Sequence, residues 1–182
     1  VKIHFNLSID EVLITFTKEV VRRYSESDKG EVYEPFEIVP EVTTKLKNKV
    51  LIISDNTPQK VVVEIRAGAN KVEGTVRLKV PEQWNVFPKE IPFKIRQKRD
   101  SQVVVFSITP PKNKAEGIVE VIATSADKNY TKELVEINYE HIPKQTVLTD
   151  SQAKIVRLNI KKVGNHIGYI QGAGDAVPES MR

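Results

Sequence analysis

Residues 74–111 of the chain read GTVRLKVPEQWNVFPKEIPFKIRQKRDSQVVVFSITPP. Apolar and polar residues alternate in three short runs of this stretch, with the apolar members Val76, Leu78 and Val80, then Ile91, Phe93 and Ile95, then Val104, Phe106 and Ile108. A period of two buries one face of each run and leaves the other face in water, as in antiparallel β-sheet. We therefore predict three strands, with the charged turn at residues 97–100 closing a hairpin between the second and the third.

Similar runs recur over the whole of residues 41–143 and are separated by turn-forming residues. No long amphipathic helix interrupts this interval. Seven or eight short strands in roughly 100 residues are typical of an immunoglobulin-like antiparallel β-sandwich. The predicted strands are Val42–Leu46, Val50–Ser54, Val61–Arg66, Thr75–Val80, Ile91–Arg96, Val103–Ile108, Ile118–Thr124 and Leu134–Tyr139.

The first segment, residues 1–40, is expected to contain extended strands and a connector from a preceding domain. Apolar residues occupy alternate positions from Val1 to Phe16, which predicts two strands joined near residues 8–10. Residues 22–30 are polar and turn-rich. Pro35 and Pro40 bracket a stretch that we interpret as an extended connector.

The last segment, residues 144–182, has a different sequence pattern. Val156, Leu158 and Ile160 predict one more alternating strand after a turn at residues 149–151. Residues 167–170 predict a buried strand that enters a glycine-containing loop, and Ala176 would begin a helix. Strand, loop and helix in this order are typical of α/β architecture, so we expect the truncated start of a further α/β domain. The chain begins with Val1 and its single methionine is Met181, which favours a piece of a longer protein.

Composition excludes several classes of chemistry. The chain has no cysteine, so disulfides, thiolate metal sites and cysteine nucleophiles are ruled out. Its 28 cations are interleaved with 24 anions, and no aromatic residues are interspersed in the densest basic group, which argues against nucleic-acid binding. That group consists of Lys94, Arg96, Lys98 and Arg99. No apolar run approaches the roughly 20 residues of a membrane span.

Motifs for catalysis or metal binding are weak. His4, His141 and His166 are far apart and form no metal-ligand spacing. The acidic residues between Glu26 and Glu34 only half resemble a calcium loop, and Gly172-Ala173-Gly174 lacks the rest of a phosphate-binding loop. We therefore expect no catalytic residue, no metal site and no cofactor in this chain.

Two aromatic residues are candidates for glycan binding. Trp84 is the only tryptophan, and Phe87 follows it in the segment PEQWNVFP. An exposed indole can stack on the C–H face of a sugar ring. A tryptophan between two strands is more often the lid of a sandwich core. The sequence favours the structural role and leaves Trp84 and Phe87 as candidate ligand-binding residues.

Several of these segments resemble a known family. Pro81–Trp84, Phe93–Ile95, Val103–Pro110 with the following Pro111, and Gly117–Val121 resemble the NPCBM-associated alpha-galactosidase-type domain over residues 60–126. That domain is an immunoglobulin-like module found beside catalytic domains in bacterial carbohydrate enzymes. The resemblance implies an accessory module rather than an enzyme.

A second resemblance concerns the flanking segments. Arg23-Tyr24, Asp28–Glu31, Pro35 and Val39-Pro40 resemble the connector of large bacterial PIG-L (LmbE-like) deacetylases, and residues 167–178 resemble the start of the α/β domain that follows the sandwich there. The family implies a zinc deacetylase domain elsewhere in the parent protein, and an exported, periplasmic or extracellular location. The catalytic Pro-His-Pro-Asp-Asp pattern is absent here, so no ligand or base transfers to this chain.

Three functions follow as hypotheses. The first is a non-catalytic accessory segment that acts as a spacer between neighbouring domains of a PIG-L-type deacetylase. The second is a carbohydrate-binding module that uses Trp84 and nearby aromatic residues. The third is a self-association or adhesion segment, in which edge strands of the Val1–Phe16 region form a homodimer by strand addition.

Overall fold

The computed structural model describes residues 1–28, 30–139, 141–142, 144–160, 164, 168–170 and 172. These residues contain strands and no helix, which confirms the all-β prediction. None of them belongs to a helix of the length and apolar composition that crossing a membrane requires. The strands are β1 (Lys2–Ile9), β2 (Val12–Glu19), β3 (Val21–Glu26), β4 (Gly30–Pro35), β5 (Val42–Leu46), β6 (Val50–Ile53), β7 (Gln59–Ala67), β8 (Val72–Lys79), β9 (Asn85–Phe87), β10 (Ile91–Ile95), β11 (Ser101–Thr109), β12 (Ala115–Ser125), β13 (Lys128–Tyr130), β14 (Lys132–Ile137), β15 (Gln145–Asp150) and β16 (Gln152–Arg157).

Two sheets form the β-sandwich. The smaller sheet has the order β5-β7-β11-β9, and the larger sheet has the order β10-β8-β12-β16-β6, with β13 also paired to β12. All of these pairs are antiparallel except β16 with β6, which is parallel. From β7 to β12, each strand lies in the opposite sheet from the strand before it.

The turn at residues 97–100 therefore does not close a hairpin, and that prediction is wrong. It carries the chain from β10 in the larger sheet to β11 in the smaller one. β10 is hydrogen-bonded to β8 in the larger sheet and its Phe93 and Ile95 point into the core, while β11 is hydrogen-bonded to β7. Alternation identified the buried face of each strand correctly, but it carries no information about which strand is the neighbour.

The core lies between the two sheets. Apolar residues at every second position of the strands are buried together, which is the cause of the alternation in the sequence. Removing one valine, leucine, isoleucine or phenylalanine side chain from water contributes about 1.5–3 kcal/mol. The largest fully buried apolar side chains are Val42, Leu46, Val63, Ile65, Phe106 and Ile108 of the smaller sheet and Val76, Val119, Val121 and Ile155 of the larger sheet.

The N-terminal segment forms two hairpins. β1 pairs with β2 as expected from the alternation. Residues 22–26 and 30, in a segment expected to be turn-rich, are instead strand residues of a second hairpin, β3–β4. This hairpin is polar and is held by cross-strand contacts, including Arg23 to Glu31 at 3.3 Å and the Tyr24 hydroxyl to Glu34 at 3.1 Å. Apolar alternation could not reveal it for that reason.

The sandwich extends past residue 143, where the sequence places a boundary. β16 lies beyond this point and pairs with both β12 and β6 in the larger sheet. β15 pairs with β14 as a separate hairpin. Ser151, between β15 and β16, is buried: its N–H donates to the Thr131 carbonyl at 2.8 Å, and its carbonyl accepts from Val121 N–H at 2.9 Å.

The expected strand at residues 156–160 ends earlier than predicted, because β16 stops at Arg157. A buried strand was also expected at residues 167–170. Residues 168–170 form no strand, and Ile170 is 97% exposed, so that expectation is wrong for them. The predicted helix from Ala176 lies outside the described residues.

Candidate functional site

Trp84 is part of the sandwich core. Its side chain is 5% exposed and belongs to the buried apolar cluster. Its backbone N–H donates to the Pro81 carbonyl at 3.3 Å, which holds the turn that precedes β9. The indole Nε1 is buried and has no hydrogen-bond partner among the described residues. The ring therefore offers no open face to a sugar.

Phe87 lies at the end of β9 and is 76% exposed. β9 alternates in burial, so that Val86 points into the core while Asn85 and Phe87 point outward. Phe87 pairs in register with Ser107 of β11. Trp84 is thus enclosed by the core, whereas Phe87 is open to solvent. The two candidate residues therefore do not form a shared aromatic platform.

The two histidines that the structure describes, His4 and His141, have separate contacts. His4 Nδ1 lies 2.9 Å from the Thr17 hydroxyl on the β1–β2 hairpin. The His141 ring stacks on Tyr139 with a centroid distance of 5.9 Å. His166 lies outside the described residues, as does most of the glycine-containing loop. Among the residues that the structure describes, no group of three or more histidines and carboxylates is arranged to hold a metal ion.

A polar cleft lies between the connector and one end of the sandwich. We call it the connector cleft; its volume is ≈ 180 Å³. That is smaller than the roughly 300 Å³ at which ordinary small-molecule pockets begin. Its lining comes from the connector, the end of β7, the turn after β10 and the β14–β15 hairpin: Glu34, Pro35, Glu37, Val39, Pro40, Thr43, Arg66, Ala67, Gly68, Lys98, Arg99, Leu134, Glu136, Lys144 and Thr146.

Gly68 is where the connector meets the sandwich. Its N–H donates to the Glu41 carbonyl at 2.8 Å. A Cβ atom built on Gly68 would lie 2.1 Å from the carbonyl oxygen of Pro40, a distance that no real side chain tolerates. Backbone therefore lies directly against backbone at this point, and only glycine fits there.

An ion-pair network on one wall of the cleft ties β7 to the β14–β15 hairpin. Glu136 Oε2 accepts from Arg66 at 2.8 Å, and its other oxygen lies 3.1 Å from Lys144 Nζ. Hydrogen bonds from Arg66 and Lys144 hold the pKa of Glu136 below its ordinary value. The carboxylate is thus kept ionised, as a structural tie requires.

Two further charged side chains are buried, and each has polar or charged partners. Glu133 on β14 is paired with Lys49 and lies 4.0 Å from Lys45 Nζ. Arg157 at the end of β16 donates to the Ser54 carbonyl at 2.9 Å, and to the Asn56 side chain at 3.0 Å. A buried charge is tolerated only with partners of this kind, so both residues tie loops to strands.

Neither buried charge was singled out from the sequence, because neither belongs to a chemical motif. The burial of Arg157 could have been predicted from its position, because it follows Ala153 and Ile155 at every second residue on the inward-facing side of β16. Glu133 has no such signal. Its burial depends on Lys49, which is distant in the sequence.

The resolved pKa shifts all favour the form that each group already has at neutral pH. The carboxylates of Asp55 and Glu73 have lowered pKa values, because Thr57 and Lys94 respectively donate hydrogen bonds to them. Burial first, and then hydrogen bonding to Glu34 or Glu41, raises the pKa of Tyr24 and of Tyr130. A general acid or base needs a pKa near the working pH, and these shifts move away from it.

Comparison of the chain with protein-family models gave no match, and comparison with curated protein sequences gave no significant match.

Proposed function

We propose that this chain is a non-catalytic β-sandwich accessory segment that acts as a spacer in a bacterial PIG-L-type deacetylase. The main observation behind the proposal is that the connector packs directly against the sandwich at Gly68. A freely flexible linker makes no such contact, since close approach of two backbones fixes their relative position. A spacer that sets a distance between neighbouring domains needs a seated connector of this kind.

The other end of the connector is hydrogen-bonded to the N-terminal hairpins. The Phe36 N–H donates to the Val20 carbonyl at 2.9 Å, and the Val20 N–H donates to the Val1 carbonyl at 3.0 Å. The connector is thus hydrogen-bonded at one end to the junction of β2 and β3. At its other end, it contacts the loop after β7 through Pro40. These two attachments support a stiff segment.

The strand order supports an immunoglobulin-like class for the sandwich. The smaller sheet, β5-β7-β11-β9, corresponds to the four-stranded sheet of that fold, and β8, β12 and β16 correspond to the core of the other sheet. The parallel pairing of β16 with β6 places β6 at the edge of the larger sheet. The chain enters β9 before β10, and this order is a variation within the class.

The ionisable side chains support a structural role. Glu133, Glu136 and Arg157 are each engaged with partners that tie strands and loops together. In the PIG-L interpretation, zinc and the catalytic residues belong to another domain of the parent, at an exported or periplasmic location. The chain by itself is expected to show no zinc-dependent deacetylase activity, and such activity in the purified chain would contradict the proposal.

Of the two candidate residues of the glycan-binding alternative, Phe87 is the exposed one. A stacking platform for a sugar ring needs an open aromatic face, and the buried Trp84 supplies none. We therefore do not propose carbohydrate recognition at these two residues.

Limited proteolysis with a glutamate-specific endoprotease tests the spacer role. Cleavage sites lie after Glu37, within the connector, and after Glu41, directly behind it, whereas the bond after Glu34 is resistant because Pro35 follows. A seated connector resists cleavage at these sites, and Gly68→Ala makes them accessible because the new Cβ atom displaces Pro40. Gly168→Ala is the matched control, since a Cβ atom there meets no atom within 4 Å. Rapid cleavage of the unmodified connector, at the rate of the Gly68→Ala variant, would overturn the proposal.

A further inference from the structure

The β1–β2 hairpin has one apolar face that nothing covers among the described residues. We call it the apolar hairpin face. The register places Phe5 opposite Phe16, Leu7 opposite Ile14 and Ile9 opposite Val12, so these side chains share one face. Its apolar members are 37–60% exposed: Ile3, Phe5, Leu7, Ile9, Val12, Ile14 and Phe16.

The opposite face of the same hairpin is polar apart from Leu13, which pairs with Ser8. His4 lies against Thr17, and the Thr15 hydroxyl donates to the Asn6 side chain at 2.8 Å. The hairpin therefore has one face suited to water and one suited to a packed interface. A two-stranded hairpin is marginally stable in water by itself, and a contiguous exposed apolar patch marks a surface that associates.

We propose that the apolar hairpin face binds the same face of a second copy of this chain, with the two hairpins related by a two-fold axis. Seven half-exposed side chains with roughly 80 Å² of open surface each give about 550 Å² per copy and about 1,100 Å² in total. That area is just above the minimum of roughly 1,000 Å² for a biological interface and below the roughly 1,200–2,000 Å² of stable complexes, so we expect a weak dimer.

The charges at the ends of the hairpin determine the orientation of the two copies. Asp10 and Glu11 form the turn, both with positive φ, and make the tip acidic. Lys18 lies opposite Ile3, at the other end of the apolar hairpin face. With the two-fold axis perpendicular to the strands, the hairpins run in opposite directions, so Lys18 of each copy lies beside the acidic tip of the other. A parallel arrangement would bring like charges together.

The same arrangement packs aromatic residues against aliphatic ones. The two-fold axis passes between the Phe5–Phe16 row and the Leu7–Ile14 row, so the phenylalanines of one copy lie over Leu7 and Ile14 of the other. Contact through this face differs from the edge-strand addition expected from the sequence, because the free edges of β1 and β2 take no part in it. The side chains supply the contact area, and the backbone ladder is not extended.

Analytical ultracentrifugation of the full 182-residue chain tests the proposal. We expect a concentration-dependent monomer–dimer equilibrium. Phe16→Glu puts a charge into the apolar contact and should weaken the dimer at least about 10-fold. Thr15→Glu is the matched control on the polar face, and it should leave the dimer unchanged. A chain that stays monomeric at high concentration, or a dimer unaffected by Phe16→Glu, would overturn the proposal.

A charge exchange tests the orientation and does not depend on the stability of the hairpin. Lys18→Glu and Glu11→Lys should each weaken the dimer, and the double variant should recover affinity because the attraction is restored with opposite signs. Equal weakening by Thr15→Glu, or a double variant no tighter than the single ones, would place the contact on another surface and contradict the two-fold face-to-face arrangement.

Discussion

Trp84 and Phe87 are three residues apart in the sequence, and their environments are opposite. One ring is enclosed by the core and the other is open to solvent, because β9 and the turn before it place alternate side chains inward and outward. The pair therefore gives a matched comparison of a large aromatic residue in the core and on the surface.

We expect Trp84→Ala to lower the free energy of unfolding by about 3–5 kcal/mol, through lost burial and the cavity left behind. Phe87→Ala should change it by no more than about 0.5 kcal/mol. Urea denaturation of the two variants measures both values. Tryptophan fluorescence adds a second readout: emission from the unmodified chain should be blue-shifted and unchanged by N-acetylated glycans. A red-shifted emission that a glycan perturbs would contradict the burial of Trp84.

At the scale of the element, the β14–β15 hairpin is attached to the sandwich by charged side chains. Arg66 and Lys144 lower the pKa of Glu136 from its ordinary 4.5. Since the folded-state pKa is the lower one, the ionised carboxylate stabilises the fold at pH values above about 4.5. This contribution is lost as the pH falls through the folded-state value.

Glu136→Gln should therefore reduce the free energy of unfolding near neutral pH and have little effect in acid. Because these side chains are about one third exposed, we expect a reduction of only about 0.5–1 kcal/mol. Denaturation of both proteins over a series of pH values measures the difference, with Glu82→Gln as an exposed control. A difference that is the same at every pH would show that Glu136 does not act through its charge.

The elements also show which parts of the fold the sequence could predict. Strands with apolar alternation, such as β5 and β11, were predicted within two residues at each end, because burial on one face leaves a period of two. The polar β3–β4 hairpin, the three-residue strands β9 and β13, and β15 were missed. Three residues are too few to show an alternating pattern, and a strand held by polar cross-strand contacts has no apolar period of two.

The candidate site was less predictable than the fold for a related reason. Gly68 has no recognisable motif, and its role becomes visible only when Pro40 is placed against it. Glu133 and Glu136 likewise acquire their roles from Lys49 and Arg66, on other parts of the sandwich. From residue type alone, Glu133 and Glu136 would be expected on a solvated surface. Their tertiary contacts instead connect separate strands and loops of the sandwich.

In the molecule as a whole, we expect the connector to hold the N-terminal hairpins at a fixed distance from the sandwich. Attachment at Gly68 and at the Val20–Phe36 hydrogen bond leaves the connector little freedom. The chain contains no cysteine, so two introduced cysteines can be labelled without background. Asp28 in the β3–β4 turn and Lys89 before β10 are both exposed and suit this purpose.

The most direct measurement is the distance distribution between spin labels at Asp28→Cys and Lys89→Cys, recorded by double electron–electron resonance. Dilution with unlabelled chain removes distances between copies. We predict one narrow distribution, which Gly68→Ala broadens and Gly168→Ala leaves unchanged. A broad distribution in the otherwise unmodified chain would mean that the connector is a flexible tether, and would contradict its role as a spacer.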